Sequence, residues 1–150
     1  MILINRTTSE NKDFGELITL LDGDLNNRYG TEQTVYDQYN IIEAIDTVVV
    51  AYLNNIPAGC GCFKIYDSDT IEIKRMFVKT EMRGKGISKL ILKELENWGI
   101  EKGYSQAILE TRIKQTEAIG LYEKSGYQKI ENFGPYVGMP YSICMKKLLK

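Results

Sequence analysis

The sequence contains no histidine, and that absence removes a whole tier of chemistry. Ser-His-Asp and Cys-His nucleophilic sites and His-ligated metals are excluded, so acid–base work falls to Glu, Asp, Tyr, Lys, Cys or water. Cysteine is scarce: Cys60, Cys62 and Cys144 are an odd number at spacings that form no disulfide framework, which fits a reducing compartment. Cys60 and Cys62 share a face of one strand, but a zinc site would have to recruit Cys144 and a carboxylate. They read better as small buried hydrophobes, and no metal is expected. Positive charge is not in excess either. The formal net charge is -1, so no broad cationic field exists to hold a phosphate backbone, and nucleic acid is not expected as a partner. No apolar run approaches the length that spans a bilayer, and the opening MILINRTTSENK has no cleavable small-residue site behind its short apolar start. The expectation is a cytoplasmic protein with no membrane partner.

What is present is enough for a core. The chain has 150 residues, 43% of them hydrophobic and 26% charged, with no low-complexity tract or internal repeat, so one domain over residues 1–150 is expected. Ile2 to Arg6 reads as a first strand. Thr8 or Ser9 offers a helix N-cap with Glu10 and Asp13 in the first turn, and Phe14, Leu17, Ile18, Leu21 and Leu25 recur at helical spacing to about Asn26. Residues 27–46 are polar and tyrosine-rich, with a second short helix expected near Val35 to Tyr39. Thr47 to Leu53 is an apolar, β-branched strand, and the turn Asn54-Asn55-Ile56-Pro57 leads to a second strand near Ala58 to Tyr66, giving a hairpin.

Ile71 to Val78 begins as a third strand with Ile71 and Ile73 on one face and Glu72 and Lys74 on the other. Alternation fails from Arg75 to Val78, through either a β-bulge or a strand end buried on both faces. After the turn Arg83-Gly84-Lys85-Gly86 comes a helix with Ile87, Leu90, Ile91, Leu95 and Trp98 inward and Lys89, Lys93 and Glu96 outward. Glu94 is the polar exception on that apolar stripe, and the helix ends near Gly103. A strand Ala107 to Thr111, a helix from about Thr116 with Gly126 at its C′ position, and strands Tyr127 to Glu131 and Ser142 to Lys147 complete the chain. This order indicates an α/β (α+β) mixed sheet with helices on both sides.

The turn Arg83-Gly84-Lys85-Gly86 stands at a helix N-terminus, where unpaired backbone N–H groups and a partial positive charge converge. That is either a phosphate cradle or a plain tight turn with solvated charges. A P-loop is absent, and Lys89 stands where a dinucleotide fingerprint needs its third glycine.

The run IEIKRMFVKTEMRGKGISKLIL, with LET at Leu109 to Thr111 and EAIGLYEKSGY at Glu117 to Tyr127, resembles the GNAT superfamily of acetyl-CoA-dependent N-acetyltransferases. The resemblance covers about Thr47 to Lys147 in order and spacing. It implies the acyl-CoA N-acyltransferase fold: a central, mostly antiparallel sheet with helices on both sides. In that family an Arg or Gln, two residues, Gly, one residue, and Gly or Ala hold the CoA pyrophosphate through backbone amides. Here those places are Arg83, Gly86 and Ser88, with Gly84, Lys85 and Ile87 between them. The family's central strand carries a bulge that opens a wedge for pantetheine, which places the arm against the backbone of Met76, Phe77 and Val78. A family helix motif of Asn, two residues, Ala, three residues, Tyr is met by Gln115, Ala118 and Tyr122, with Gln in place of Asn.

The implied activity is that of an acyltransferase, with acetyl-CoA as cosubstrate and a small-molecule or peptide primary amine as acceptor. Tyr122 matches the residue that protonates the leaving thiolate in many members; it also lies on an apolar stripe, as a core aromatic would. A primary amine must lose a proton before it attacks, since its pKa is about 10. Glu72 resembles a position where many members keep a glutamate acting through water; it could equally be an exposed strand carboxylate or a partner of Lys74 or Arg75. A backbone amide near Phe77 or Val78 would steady the oxyanion. The variable segment 27–40, with Glu32 and Asp37, and the loop Phe133-Gly134-Pro135-Tyr136 resemble the segments that build the acceptor pocket. A CoA-binding sensor of the same fold without turnover is the competing reading. A homodimer through the last strands is left open by the sequence.

Overall fold

A computed structural model describes residues 1–29 and 44–149. The expected helix near Val35 to Tyr39 and most of the expected acceptor segment 27–40 lie outside the described residues. Among those described, the strands are β1 (Ile2–Thr7), β2 (Val48–Leu53), β3 (Ile56–Ile65), β4 (Thr70–Val78), β5 (Gln106–Arg112), β6 (Gln128–Ile130) and β7 (Ser142–Leu148). The helices are α1 (Lys12–Tyr29), α2 (Ile87–Glu101) and α3 (Thr116–Lys124). The strand order in the sheet is β1-β2-β3-β4-β5-β7-β6. The pairs β1–β2, β2–β3, β5–β7 and β6–β7 are antiparallel and β4–β5 is parallel, the mixed sheet that the element order predicts.

The chain divides into two compact units, Met1–Phe63 with Arg75–Leu95, and Lys64–Lys74 with Glu96–Lys150. In the first, Phe14, Leu17, Leu21 and Leu25 of α1 pack with Val48, Val50, Cys60, Cys62 and Phe77. The opposite face of β3 carries Gly59 and Gly61, against which α2 lies. A Cβ on Gly61 would come within 2.6 Å of Met76 Sδ and 3.0 Å of both Ile91 and Leu95, and one on Gly59 within 2.7 Å of the Phe77 carbonyl oxygen. Helices therefore flank β3 on both faces, and glycine is what lets α2 approach so closely.

Local chemistry explains the element ends. Asn54 and Asn55 hold φ of 50° and 69°, the two positive values that a type I′ hairpin turn demands and that asparagine tolerates. β3 consequently begins at Ile56, inside the segment expected as turn, and Pro57 falls beside a register shift between Ala51 and Tyr52, where a missing ladder donor is tolerated. The α1 N-cap is Asn11, whose Oδ1 accepts the Phe14 N–H at 3.0 Å, not Thr8 or Ser9. Ser9 instead accepts the Ile45 N–H through Oγ at 3.0 Å.

The larger correction concerns α2. Leu90 is 43% exposed and Glu96 only 3%, while Leu92 is buried, so the buried stripe runs through 87, 91, 92, 95, 96 and 99 rather than through Leu90 and Trp98. Glu94 sits at its margin, its Oε2 accepting from Arg6 Nε at 2.6 Å. All three cysteines are free and buried, as expected of small hydrophobes.

Candidate active site

In the first unit the second half of β4 carries an irregularity at a single residue. Arg75 has φ of 59°, a left-handed conformation costing a non-glycine residue about 1–2 kcal/mol, and this irregularity falls where alternation fails. Its side chain is held by Asp22, with Nη2 to Oδ1 at 2.8 Å, and Cys60 Sγ donates to its carbonyl at 3.5 Å. The β4–β5 ladder ends at Ile73↔Leu109, although β4 continues to Val78.

The turn that follows is exposed from Arg83 to Gly86. Gly84 and Gly86 have φ of 80° and 77°, and a Cβ on either would meet no heavy atom within 4 Å. Backbone conformation and not crowding calls for glycine here. Arg83 is anchored to the strand, its Nε donating to the Val78 carbonyl at 2.9 Å and its guanidinium 5.9 Å from the Phe77 ring centre. The Gly86 carbonyl accepts the Leu90 N–H at 3.2 Å, so the amides of Ile87, Ser88 and Lys89 form the open first turn of α2. An exposed cradle of this kind, with Arg83 and Lys85 beside it, fits an anionic diphosphate.

The second unit gathers the ionisable groups. Glu72, at 5% exposure, is buried and not an exposed strand carboxylate; its Oε2 lies 3.6 Å from Lys74 Nζ. Lys74 Nζ donates to the Tyr136 hydroxyl at 3.3 Å. The ring of Tyr136 packs edge-on against Phe133, with 5.6 Å between centres, and Phe133 in turn against Tyr66 at 5.4 Å. Asn132 pins this loop by donating to the carbonyls of Tyr136 and Met139 at 3.0 and 3.3 Å. The late loop expected to line the acceptor pocket thus sits beside Lys74 and Glu72.

Glu110, on β5, is the group that the sequence reading passed over. Its Oε2 accepts from Ser142 Oγ at 2.8 Å. Burial pushes its carboxyl up to about 7, against the opposing pull of the Ser142 hydrogen bond and of Arg112 and Lys74. A carboxylate directly after the apolar Ala107-Ile108-Leu109 of β5 was the available signal, since an unpaired carboxylate there is expensive. Tyr122 is 6% exposed, its phenol pushed well above the ordinary value by burial and then by Glu110, so it stays protonated at neutral pH. Gln115 is the residue preceding α3 and makes no side-chain cap; its Oε1 accepts from Thr111 Oγ1 at 3.3 Å. Among the described residues no cluster of His, Cys, Asp and Glu is arranged to hold a metal ion.

The sequence profile of the acetyltransferase (GNAT) family matches residues 14–127. The chain belongs to that family. As a GNAT acetyltransferase it is an acyltransferase. It is 33% identical over 136 residues to the IAA acetyltransferase of Azospirillum brasilense, covering 89% of each chain, and 27% identical to the uncharacterised protein YyaT of Bacillus subtilis, covering 97% of this chain and 95% of that one. Among solved structures, a Klebsiella pneumoniae protein assigned to the acyl-CoA N-acyltransferases superposes with a TM-score of 0.80 at 26% identity, over 100% of this chain and 99% of that one. A GNAT acetyltransferase from Elizabethkingia anophelis, solved with acetyl-CoA bound, shares the fold with a TM-score of 0.69 at 22% identity, over 98% and 97% of the two chains. No helix among the described residues of this GNAT acetyltransferase is long and apolar enough to cross a membrane.

Proposed function

We propose that this protein transfers the acetyl group of acetyl-CoA to a primary amine by direct attack, within one N-acetyltransferase domain over residues 1–150. The observation that carries the cosubstrate is the exposed turn Arg83–Gly86, with glycines at φ of 80° and 77° opening onto the N-terminus of α2. Amides of Gly84 to Ser88 and the cations Arg83 and Lys85 take the pyrophosphate, and the backbone of Met76 to Val78 takes the pantetheine arm. Gln115, its amide turned to Thr111, contributes a weaker contact. A thioester supplies an electrophilic carbon and a good leaving group; the chain's own residues do the rest. The amine loses its proton by way of water to the carboxylates Glu72 and Glu110. Of the two, Glu110, raised to about 7, has the proton affinity matched to neutral pH. An amide near Phe77 or Val78 donates to the developing oxyanion, and Tyr122 donates its phenolic proton to the departing sulfur.

Thermal unfolding with and without excess acetyl-CoA tests the cosubstrate. At about a hundred times Kd the gain is about 2.7 kcal/mol, several degrees for a domain this size, and Gly86→Glu, referenced to its own ligand-free baseline, abolishes it. No shift in the parent protein overturns the proposal. A free-thiol assay over a panel of primary amines then separates a transferase from a CoA-binding sensor, which gives the shift without turnover.

A further inference from the structure

Glu96 is a buried carboxylate that the proposed chemistry does not use. It lies on the apolar stripe of α2 at 3% exposure, and both of its oxygens are engaged: Tyr127 OH donates to Oε2 at 2.9 Å and Lys147 Nζ to Oε1 at 2.9 Å. Lys147 Nζ also stands 5.8 Å over the Tyr127 ring centre. A buried ion pair is a poor stabilising device, because well-packed apolar residues of similar volume do as well or better. What such a pair does supply is direction, since a ring tethered at its hydroxyl and capped on one face has a single orientation left.

Tyr127 meets Tyr122 twice, once through the backbone and once through the ring. The Tyr127 N–H donates to the Tyr122 carbonyl at 2.9 Å, across the turn that Gly126 makes with φ of 99°. The two rings meet edge to face, with centres 5.8 Å apart and planes at 63°. The wall against which the Tyr122 phenol rests is therefore one that Glu96 and Lys147 hold still.

We propose that Glu96, with Lys147, is a positioning residue for acetyl transfer: it tethers Tyr127, and Tyr127 fixes the ring of Tyr122 in the orientation from which its hydroxyl donates. The inference rests on the proton-donor role of Tyr122 for its kinetic consequence, but not for its structural one. The structural test is NMR of protein carrying 13Cε-labelled tyrosine, with the Tyr122 signal identified by its loss in Tyr122→Phe. Tyr127→Phe keeps the ring and removes only the tether, so it is the variant that folds most reliably; Glu96→Leu removes the tether from the other side; Glu96→Gln keeps an acceptor for the Tyr127 hydroxyl. The Tyr122 signal shifts or broadens in the first two and returns toward the parent position in Glu96→Gln. An unchanged Tyr122 signal in Tyr127→Phe overturns the proposal.

The kinetic test uses acetyl-CoA and the best amine from the panel. Tyr127→Phe lowers kcat about ten-fold with KM for acetyl-CoA unchanged, and has no further effect in a Tyr122→Phe background, where a merely structural loss would still add. Equal losses in both backgrounds overturn the proposal. Full activity of Tyr122→Phe itself removes the donor reading and leaves the tether to be judged by the NMR result.

Discussion

Glu110→Gln should make the protein more stable in alkali than its parent and nearly indistinguishable from it in mild acid. The parent carboxyl is raised from 4.5 to about 7, chiefly by burial, so the folded chain binds this proton more tightly than the unfolded one. Stability that is present below the unfolded value is lost as pH rises through the folded one. A shift of that size is worth roughly 3 kcal/mol in full. Between pH 5, where the folded carboxyl is protonated and the unfolded one mostly ionised, and pH 8.5, where both are ionised, the parent loses roughly 2–3 kcal/mol that Gln at this position does not. The amide oxygen of Gln still accepts from Ser142 Oγ, now 2.8 Å from Oε2, so the substitution removes charge and little else. Urea unfolding of both proteins at the two pH values reads the difference directly, since titration of every other group cancels in the comparison. Parallel pH profiles, or a variant that is relatively weaker at pH 8.5, would refute the assignment of a half-buried, proton-holding carboxyl at this position. They would also take with them the case for Glu110 as proton acceptor.

Tyr122→Phe should slow acetyl transfer by roughly 10²–10⁴-fold while the acetyl-CoA thermal shift is retained; undiminished turnover excludes Tyr122 as the donor. Gly61→Ala should destabilise by about 1–3 kcal/mol, because its Cβ would lie 2.6 Å from Met76 Sδ and 3.0 Å from Ile91 and Leu95. Gly120→Ala on α3, where a Cβ meets nothing within 4 Å, should be neutral or stabilising by up to about 1 kcal/mol in the same urea titration. Asn11→Ala should cost about 1 kcal/mol through loss of the α1 cap, whereas Thr8→Ala should cost less; equal losses would mean that the cap is not at Asn11.

The candidate turn was noticeable because its signal is local. Two glycines within three residues mark the turn at 84 and 86, and the broken alternation from Arg75 marks an irregular strand end, while the positive φ at all three positions comes from the structure. Glu96 and Glu110 were hidden for the opposite reason. Ile87, Ile91 and Leu95 leave the side of the α2 stripe undecided between 90-94-98 and 92-96-99. What decides it is Tyr127 and Lys147, 31 and 51 residues away, which make a carboxylate at 96 tolerable, and Arg6, 88 residues away, which holds Glu94 at the margin. Glu110 likewise acquires its character from Ser142 on β7, 32 residues on. The N-cap was misplaced by a smaller margin: Thr8 and Ser9 are good capping residues, but Ser9 is occupied with Ile45 and the helix waits for Asn11. Glu72 was found by resemblance, and its burial beside Lys74 was not foreseeable from alternation, which here separates two buried faces and not an inside from an outside.

The placement of β7 between β5 and β6 has a consequence for how the chain is made. A ribosome delivers β5, α3 and β6 before β7, while a domain generally folds as a unit. Until Ser142–Leu148 arrives, β5 and β6 have no shared partner, Glu110 has no Ser142, and Glu96 has no Lys147 to neutralise it. The second unit is thus a structure that vectorial synthesis cannot complete piecemeal: its centre is among its latest parts, and two carboxylates wait, hydrated, for the strand that supplies their partners.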